Sequence, residues 1–97
     1  MVGHFVAMFT RHTSGYLAAL RQGLAESDPQ AVRSQAHTIK GAAANISARR
    51  MQRLAARIED LAREGRLDGV PELFARLEEE YRAFGTVTGT SAGEDAG

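Results

Sequence analysis

The stretch Asp28-Pro29-Gln30-Ala31-Val32-Arg33-Ser34-Gln35-Ala36-His37-Thr38-Ile39-Lys40-Gly41-Ala42-Ala43-Ala44-Asn45-Ile46 carries the clearest periodicity in the chain. Val32, Ala36, Ile39, Ala43 and Ile46 recur at steps of four, three, four and three, which is one apolar stripe on a helix from about Pro29 to Asn45. Asp28 suits the position just before that helix, where a side-chain oxygen accepts an orphan backbone N–H. Pro29 suits the first turn, because it has no amide hydrogen to satisfy. Asn45-Ile46-Ser47 is expected to form the turn that follows, with Ser47 able to cap the next helix.

The same pattern extends to both sides. Upstream, Phe5, Phe9, Tyr16, Leu17, Leu20 and Leu24 mark one face of a helix from about Gly3 to Glu26, and Thr13-Ser14-Gly15 is a point where it could bend or restart. Downstream, Met51, Leu54, Ala55, Ile58, Leu61 and Ala62 define a third helix over roughly Ala48 to Glu64, ended by Gly65. Asp68-Gly69-Val70-Pro71 opens a fourth, with Leu73, Phe74, Leu77, Tyr81 and Phe84 as its apolar residues. Short connections force antiparallel neighbours, so the expected fold is all-α, an antiparallel up-down four-helix bundle over residues 1–84. Residues 85–97 are Gly, Thr, Ser and Ala with two acids and one Val, too polar to offset the entropy of ordering; they are expected to be a disordered tail or linker.

Composition narrows the function. A chain of 97 residues is one domain, whereas a doubly wound nucleotide fold or a barrel needs roughly 150–250. The absence of Cys removes disulfides, thiolate nucleophiles and sulfur-ligated metal. No apolar run reaches the length of a membrane span and no leader is evident, so a cytoplasmic location with no membrane association is expected. The net charge is zero but lopsided: residues 1–57 hold eight Lys/Arg against two acids, and residues 58–97 hold four Arg against ten acids. Complementary basic and acidic helices would account for this. So would a basic face that recruits an acidic or phosphorylated partner. Eleven of the twelve basic residues are Arg; the single Lys is Lys40.

Few side chains could be reactive. His4 lies near a terminus and His12 near the suspected bend, and both read as solvent-exposed polar residues. His37 differs, because on a wheel of about 100° per residue it lies roughly 140° from the buried stripe, facing water in mid-helix. On the same wheel Lys40 lies at roughly 80°, Arg33 near 100°, Ala44 at roughly 120°, Gln30 at roughly 160° and Gly41 at roughly 180°. A glycine inside an exposed helix costs about 1 kcal/mol relative to Ala, and this chain uses Ala freely around it. A missing side chain there lets another molecule approach closely. Lys40, one turn on, binds phosphate as a point charge. Imidazole is largely neutral at cytoplasmic pH, and its free ring nitrogen is a nucleophile. The set could carry a phosphoryl group. It lacks the nucleotide motif, metal cluster and acid/base dyad needed to make one from ATP.

The stretch Ala36-His37-Thr38-Ile39-Lys40-Gly41-Ala42-Ala43-Ala44-Asn45 resembles the signature of histidine-containing phosphotransfer (HPt) domains, Ala-His-x-Leu-Lys-Gly-Ser/Ala-Ala. In that family the signature follows an acidic turn, here Ala25-Glu26-Ser27-Asp28, and precedes a helix carrying Leu/Ile-Glu, here Ile58-Glu59. Phe9, Tyr16-Leu17 and Leu20 resemble the family's preceding helix, and the likeness covers roughly residues 5 to 84.

The resemblance implies a phosphorelay intermediate. Such a domain accepts a phosphoryl group on the signature His from the phospho-aspartate of a response-regulator receiver domain, in some relays that of a hybrid sensor histidine kinase, and passes it reversibly to another receiver. By position, His37 is the phosphoryl acceptor, Lys40 neutralises phosphoryl oxygens, Gly41 clears the approach and Glu59 orients the His. No cofactor of its own is implied, Mg²⁺ belonging to the receiver. Gln30, Arg33, Ala44, Arg49 and Arg53 are expected on the partner-binding face, with Arg50 adding to the charge that steers an acidic receiver.

Two departures stand out. Ser47 occupies the position where the family usually has Gly, which predicts a differently shaped turn using Asn45, since a left-handed Ser costs about 1–2 kcal/mol. Only a few residues precede Phe5, so the short extra helix of many members is expected to be absent or reduced, or the chain to be a piece of something longer. The alternative function is a helical-bundle interaction module with no phosphoryl chemistry, although His, Lys and Gly are all retained. A nucleic-acid role for the Arg49/Arg50/Arg53/Arg57 stripe is opposed by zero net charge and the acidic C-terminal part.

Overall fold

The computed structural model describes the backbone of residues 2–89 and the side chains of residues 9–84. Its elements are α1 (Val2–Ala25), α2 (Pro29–Asn45), α3 (Arg49–Arg63) and α4 (Val70–Gly89). Asp28 caps α2 as its chemistry suggests, its carboxylate accepting from the Ala31 N–H at 3.2 Å. The α2 stripe is buried as predicted: Val32, Ala36, Ile39 and Ala43 are inaccessible, while Ile46, just past the helix end, is half-buried against the core.

Each helix packs on its neighbour in sequence and α4 closes on α1, and among the described residues no backbones come close across either diagonal. Leu20 of α1, Val32 and Ile39 of α2, Met51 and Ile58 of α3, and Val70 and Leu77 of α4 fill the centre. Burial of each such side chain contributes about 1.5–3 kcal/mol. At the closing seam the Tyr81 hydroxyl donates to the Thr10 carbonyl at 2.6 Å and Phe9 meets Phe84 edge to face at 5.4 Å; Arg21 pairs with Glu78 and lies over the Phe74 ring. Near the turn joining α1 to α2, a Cβ on Gly23 would lie 3.1 Å from the Val32 side chain, so glycine permits that close approach.

Several expectations are corrected. α1 runs without interruption through Thr13-Ser14-Gly15. Thr13 is fully buried and the Ser14 hydroxyl donates to the Arg11 carbonyl at 2.9 Å, so packing and a local hydrogen bond override the weak propensity. The turn after α2 is not reshaped around Asn45, because Ser47 itself takes the left-handed conformation, with φ 60°. Ser47 N–H bonds to the Ala44 carbonyl and Ala48 N–H to that of Ala43, the paired closure of a Schellman motif. The same closure ends α1 through Ser27 (φ 52°) and α3 through Gly65 (φ 76°). Nor does Ser47 cap α3: Ala48 holds that position and supplies no side-chain hydrogen bond. α4 continues to Gly89, past the end expected at Phe84. The rest of the expected tail, residues 90–97, lies outside the described residues, as do the side chains of His4 and Phe5. Among the described residues no helix is long and apolar enough to cross a membrane.

Candidate functional site

Because α2 buries its stripe against the bundle, the face carrying His37 is turned outward and toward α3. The His37 side chain is 68% exposed. Its Nδ1 lies 2.9 Å from Oε2 of Glu59, whose side chain is only 5% exposed. Glu59 also meets the Lys40 ammonium, with Nζ 2.7 Å from Oε1, and the Arg63 guanidinium, with Nη2 3.2 Å from Oε2. Among the described residues Oε1 has no partner besides Lys40. Arg63 is held in turn by Asp60 at 2.8 Å.

Electrostatics sets the state of Glu59. Burial on its own would push the Glu59 carboxyl up, but the Lys40 and His37 groups set against it outweigh burial and hold it below its ordinary value. Glu59 is therefore an ionised acceptor, and the Nδ1 facing it must carry the hydrogen. The hydrogen bond made by one ring nitrogen sets the state of the other. In a neutral ring with its hydrogen on Nδ1, the lone pair lies on Nε2, the nitrogen away from Glu59. At Gly41, one turn further on, an added Cβ would meet nothing within 4 Å, so the helix surface beside the imidazole is bare.

The structure brings together Gln30, Arg33, His37 and Glu59, which line one hollow of about 450 Å³ with Ser34, Thr38 and Arg63. Lys40 joins them through Glu59 and is 34% exposed. Ala44 is exposed further along α2. Arg49 sits at the first turn of α3, and Arg53 faces a different hollow shared with Arg50, Leu54, Arg76, Glu79 and Glu80 toward α4. Arg50 reaches Glu80 at 3.8 Å, away from His37. Sequence reasoning missed Arg63, although its i,i+4 spacing from Glu59 signals the pair. It also missed an apolar hollow of about 520 Å³ between α1 and α2, lined by Phe9, His12, Thr13, Tyr16, Ala42, Asn45 and Ile46. Among the described residues no three His, Cys, Asp or Glu are grouped to hold a metal ion.

Bundle and site together define a class of protein: a helical scaffold presenting an outward imidazole whose inner nitrogen is bound to a buried carboxylate. The Hpt domain family matches residues 4–86, and the chain belongs to that family. It is similar to the aerobic respiration control sensor protein ArcB of Escherichia coli K12, with 30% identity over 77 residues, and equally to ArcB of Shigella flexneri. The match covers 79% of this chain and 10% of the ArcB sequence, so the chain spans a tenth of that relative's length. Among solved structures, histidine-containing phosphotransfer protein B (HptB) of Pseudomonas aeruginosa PAO1 superposes with a TM-score of 0.86 at 27% identity, over 89% of this chain and 75% of HptB. The chain is thus a histidine phosphotransfer module of the phosphorelay type, a carrier rather than a classical enzyme.

Proposed function

We propose that this chain accepts a phosphoryl group on Nε2 of His37 from the phospho-aspartate of a receiver domain and returns it, reversibly, to another receiver. The observation that carries this reading is the 2.9 Å contact from His37 Nδ1 to buried Glu59, with the ring otherwise open to solvent. In the step, the Nε2 lone pair attacks phosphorus, the N–P bond forms, and the acyl P–O bond breaks with the aspartate leaving as carboxylate. Nδ1 keeps its hydrogen throughout, so no general base is required. Such a transfer is stabilised by positioning and charge, with little covalent work for the scaffold.

Gly41 leaves room for the partner's active-site edge, and Lys40 lies close enough to help neutralise the arriving oxygens. Mg²⁺ and the acidic pocket belong to the receiver, and the carrier brings no cofactor of its own. Gln30, Arg33 and Ala44 form the near part of the docking face, and Arg49 and Arg53 its far part. α3 begins without a side-chain cap and with Arg49 and Arg50 in its first turn. Helix dipole and side chains therefore add to one positive end, an unfavourable arrangement for the isolated helix that suits an acidic receiver surface. The partners are response-regulator receivers and, where a relay starts at a hybrid sensor histidine kinase, the receiver of that kinase; the site of action is the cytoplasm.

The test is transfer of labelled phosphate from a phosphorylated receiver to the wild type and to Gly41→Leu. The wild type gains label, and Gly41→Leu keeps its helical content but gains label slowly because docking is obstructed. A wild type that takes no label from any receiver, while binding one tightly, would favour an interaction module instead.

A further inference from the structure

Three cations surround the His37–Glu59 pair, and two are already engaged. Lys40 sits 2.7 Å from Glu59 Oε1, and withdrawing it would leave that buried oxygen with no partner at all. Arg63 spans Glu59 and Asp60. Arg33 is exposed, its side chain makes no ion pair or hydrogen bond among the described residues, and it lines the same hollow as His37. It lies four residues before His37 on α2, about 6 Å along the axis and nearly in line around the helix. Helical side chains lean toward the N-terminus, so the imidazole overhangs the turn to which Arg33 belongs. The charges of Glu59 and Asp60 cancel those of Lys40 and Arg63, and the excess positive charge of the cluster is that of Arg33.

Resting on the phosphocarrier reading above, we infer that Arg33 binds the phosphoryl group itself once it is on His37, beyond any role in docking. A phosphoryl group on Nε2 stands outside the Glu59 cluster, over the hollow. A guanidinium can meet two of its oxygens in parallel, which an ammonium cannot do with the same geometry. Lys40 keeps the buried carboxylate ionised and lends its charge from its place beside Glu59, while Arg33 makes the direct, two-point contact with the phosphoryl oxygens. The consequence is a phosphohistidine held longer on the carrier and a transfer equilibrium drawn toward it.

The test phosphorylates the full chain with phosphoramidate, a small donor that needs no receiver, and follows the ³¹P resonance against pH. A nearby cation favours the dianion. In Arg33→Ala the phosphoryl group should therefore titrate about half a unit higher than in wild type, a threefold change in its proton affinity. Arg33→Lys should keep part of the shift and Arg33→Glu should move the titration higher still, with helical content unchanged in all. Transfer equilibrium to a receiver should move toward the receiver by about the same threefold in Arg33→Ala. Coincident ³¹P titrations for wild type and Arg33→Ala would overturn the inference, and a transfer defect without a titration shift would leave Arg33 a docking residue only. Wild type that takes phosphate on His37 from neither phosphoramidate nor a receiver would overturn the carrier reading, and this inference with it.

Discussion

Glu59→Ala removes the acceptor that fixes the His37 ring. A hydrogen bond to a charged partner contributes about 1.5–3 kcal/mol. Because the His37 side chain is 68% exposed, water competes for Nδ1, and the lower end of that range applies. About 1.4 kcal/mol is a tenfold change in an equilibrium, so the tautomer that leaves Nε2 free should lose roughly tenfold in its preference over the other. The fold should survive, since Lys40 and Arg63 both reach solvent once the carboxylate is gone. Imidazole ¹⁵N shifts report the tautomer directly, and single-turnover uptake from a phosphorylated receiver reports the nucleophile. The expected result is a gain of the Nε2–H form and uptake about tenfold slower; Glu59→Gln, which keeps an acceptor oxygen, should fall between. An unchanged tautomer ratio together with uptake within twofold of wild type would refute the assignment of Glu59.

Other outcomes follow from the same geometry. Lys40→Ala should slow phosphoryl transfer and leave the circular dichroism spectrum unchanged; a collapsed helical signal would make Lys40 structural. Ser47→Gly should raise unfolding stability by about 1 kcal/mol, because the left-handed conformation at φ 60° strains Ser and not Gly; no gain in the urea midpoint would show that the turn holds Ser47 without strain. The Glu59 carboxyl is held below its ordinary value of 4.5 in the folded chain, so the unfolded state binds its proton more tightly. Its contribution is therefore complete above about pH 4.5 and lost as pH falls through the lower folded value. Urea melts across that window should show a steeper pH dependence for wild type than for Glu59→Gln, and parallel curves would contradict the ion-pair account.

What the sequence made legible was what one helix determines by itself. The period of α2 gave both the buried stripe and the outward His37, and Asp28-Pro29 marked where it starts; Gly65 likewise marked the end of α3. Contacts between helices were less accessible, because they depend on how two cylinders are rotated and offset against each other. The burial of Glu59 between Lys40 and His37 is of that kind. So is the use of Gly23 to bring α1 against Val32, and so is the full burial of Val70, which lies at the first position of α4 and outside the recognised stripe. Turn chemistry misled for a different reason. Asn tolerates a left-handed backbone better than Ser, yet the hydrogen-bond closure from Ala48 back to Ala43 fixes which residue must turn, and that residue is Ser47. In α1, buried Thr13 outweighed a local run that favours a break.

The proposed role of buried Glu59, turning the imidazole so that its outer nitrogen is the acceptor, can be read most directly from the position of the phosphoryl group on the ring. Heteronuclear NMR of the ¹⁵N-labelled, phosphorylated chain should show phosphorus coupled to Nε2 of His37 and a hydrogen retained on Nδ1, with no acid-labile phosphate on His37→Gln. Phosphorus on Nδ1, or label persisting in His37→Gln, would contradict the account.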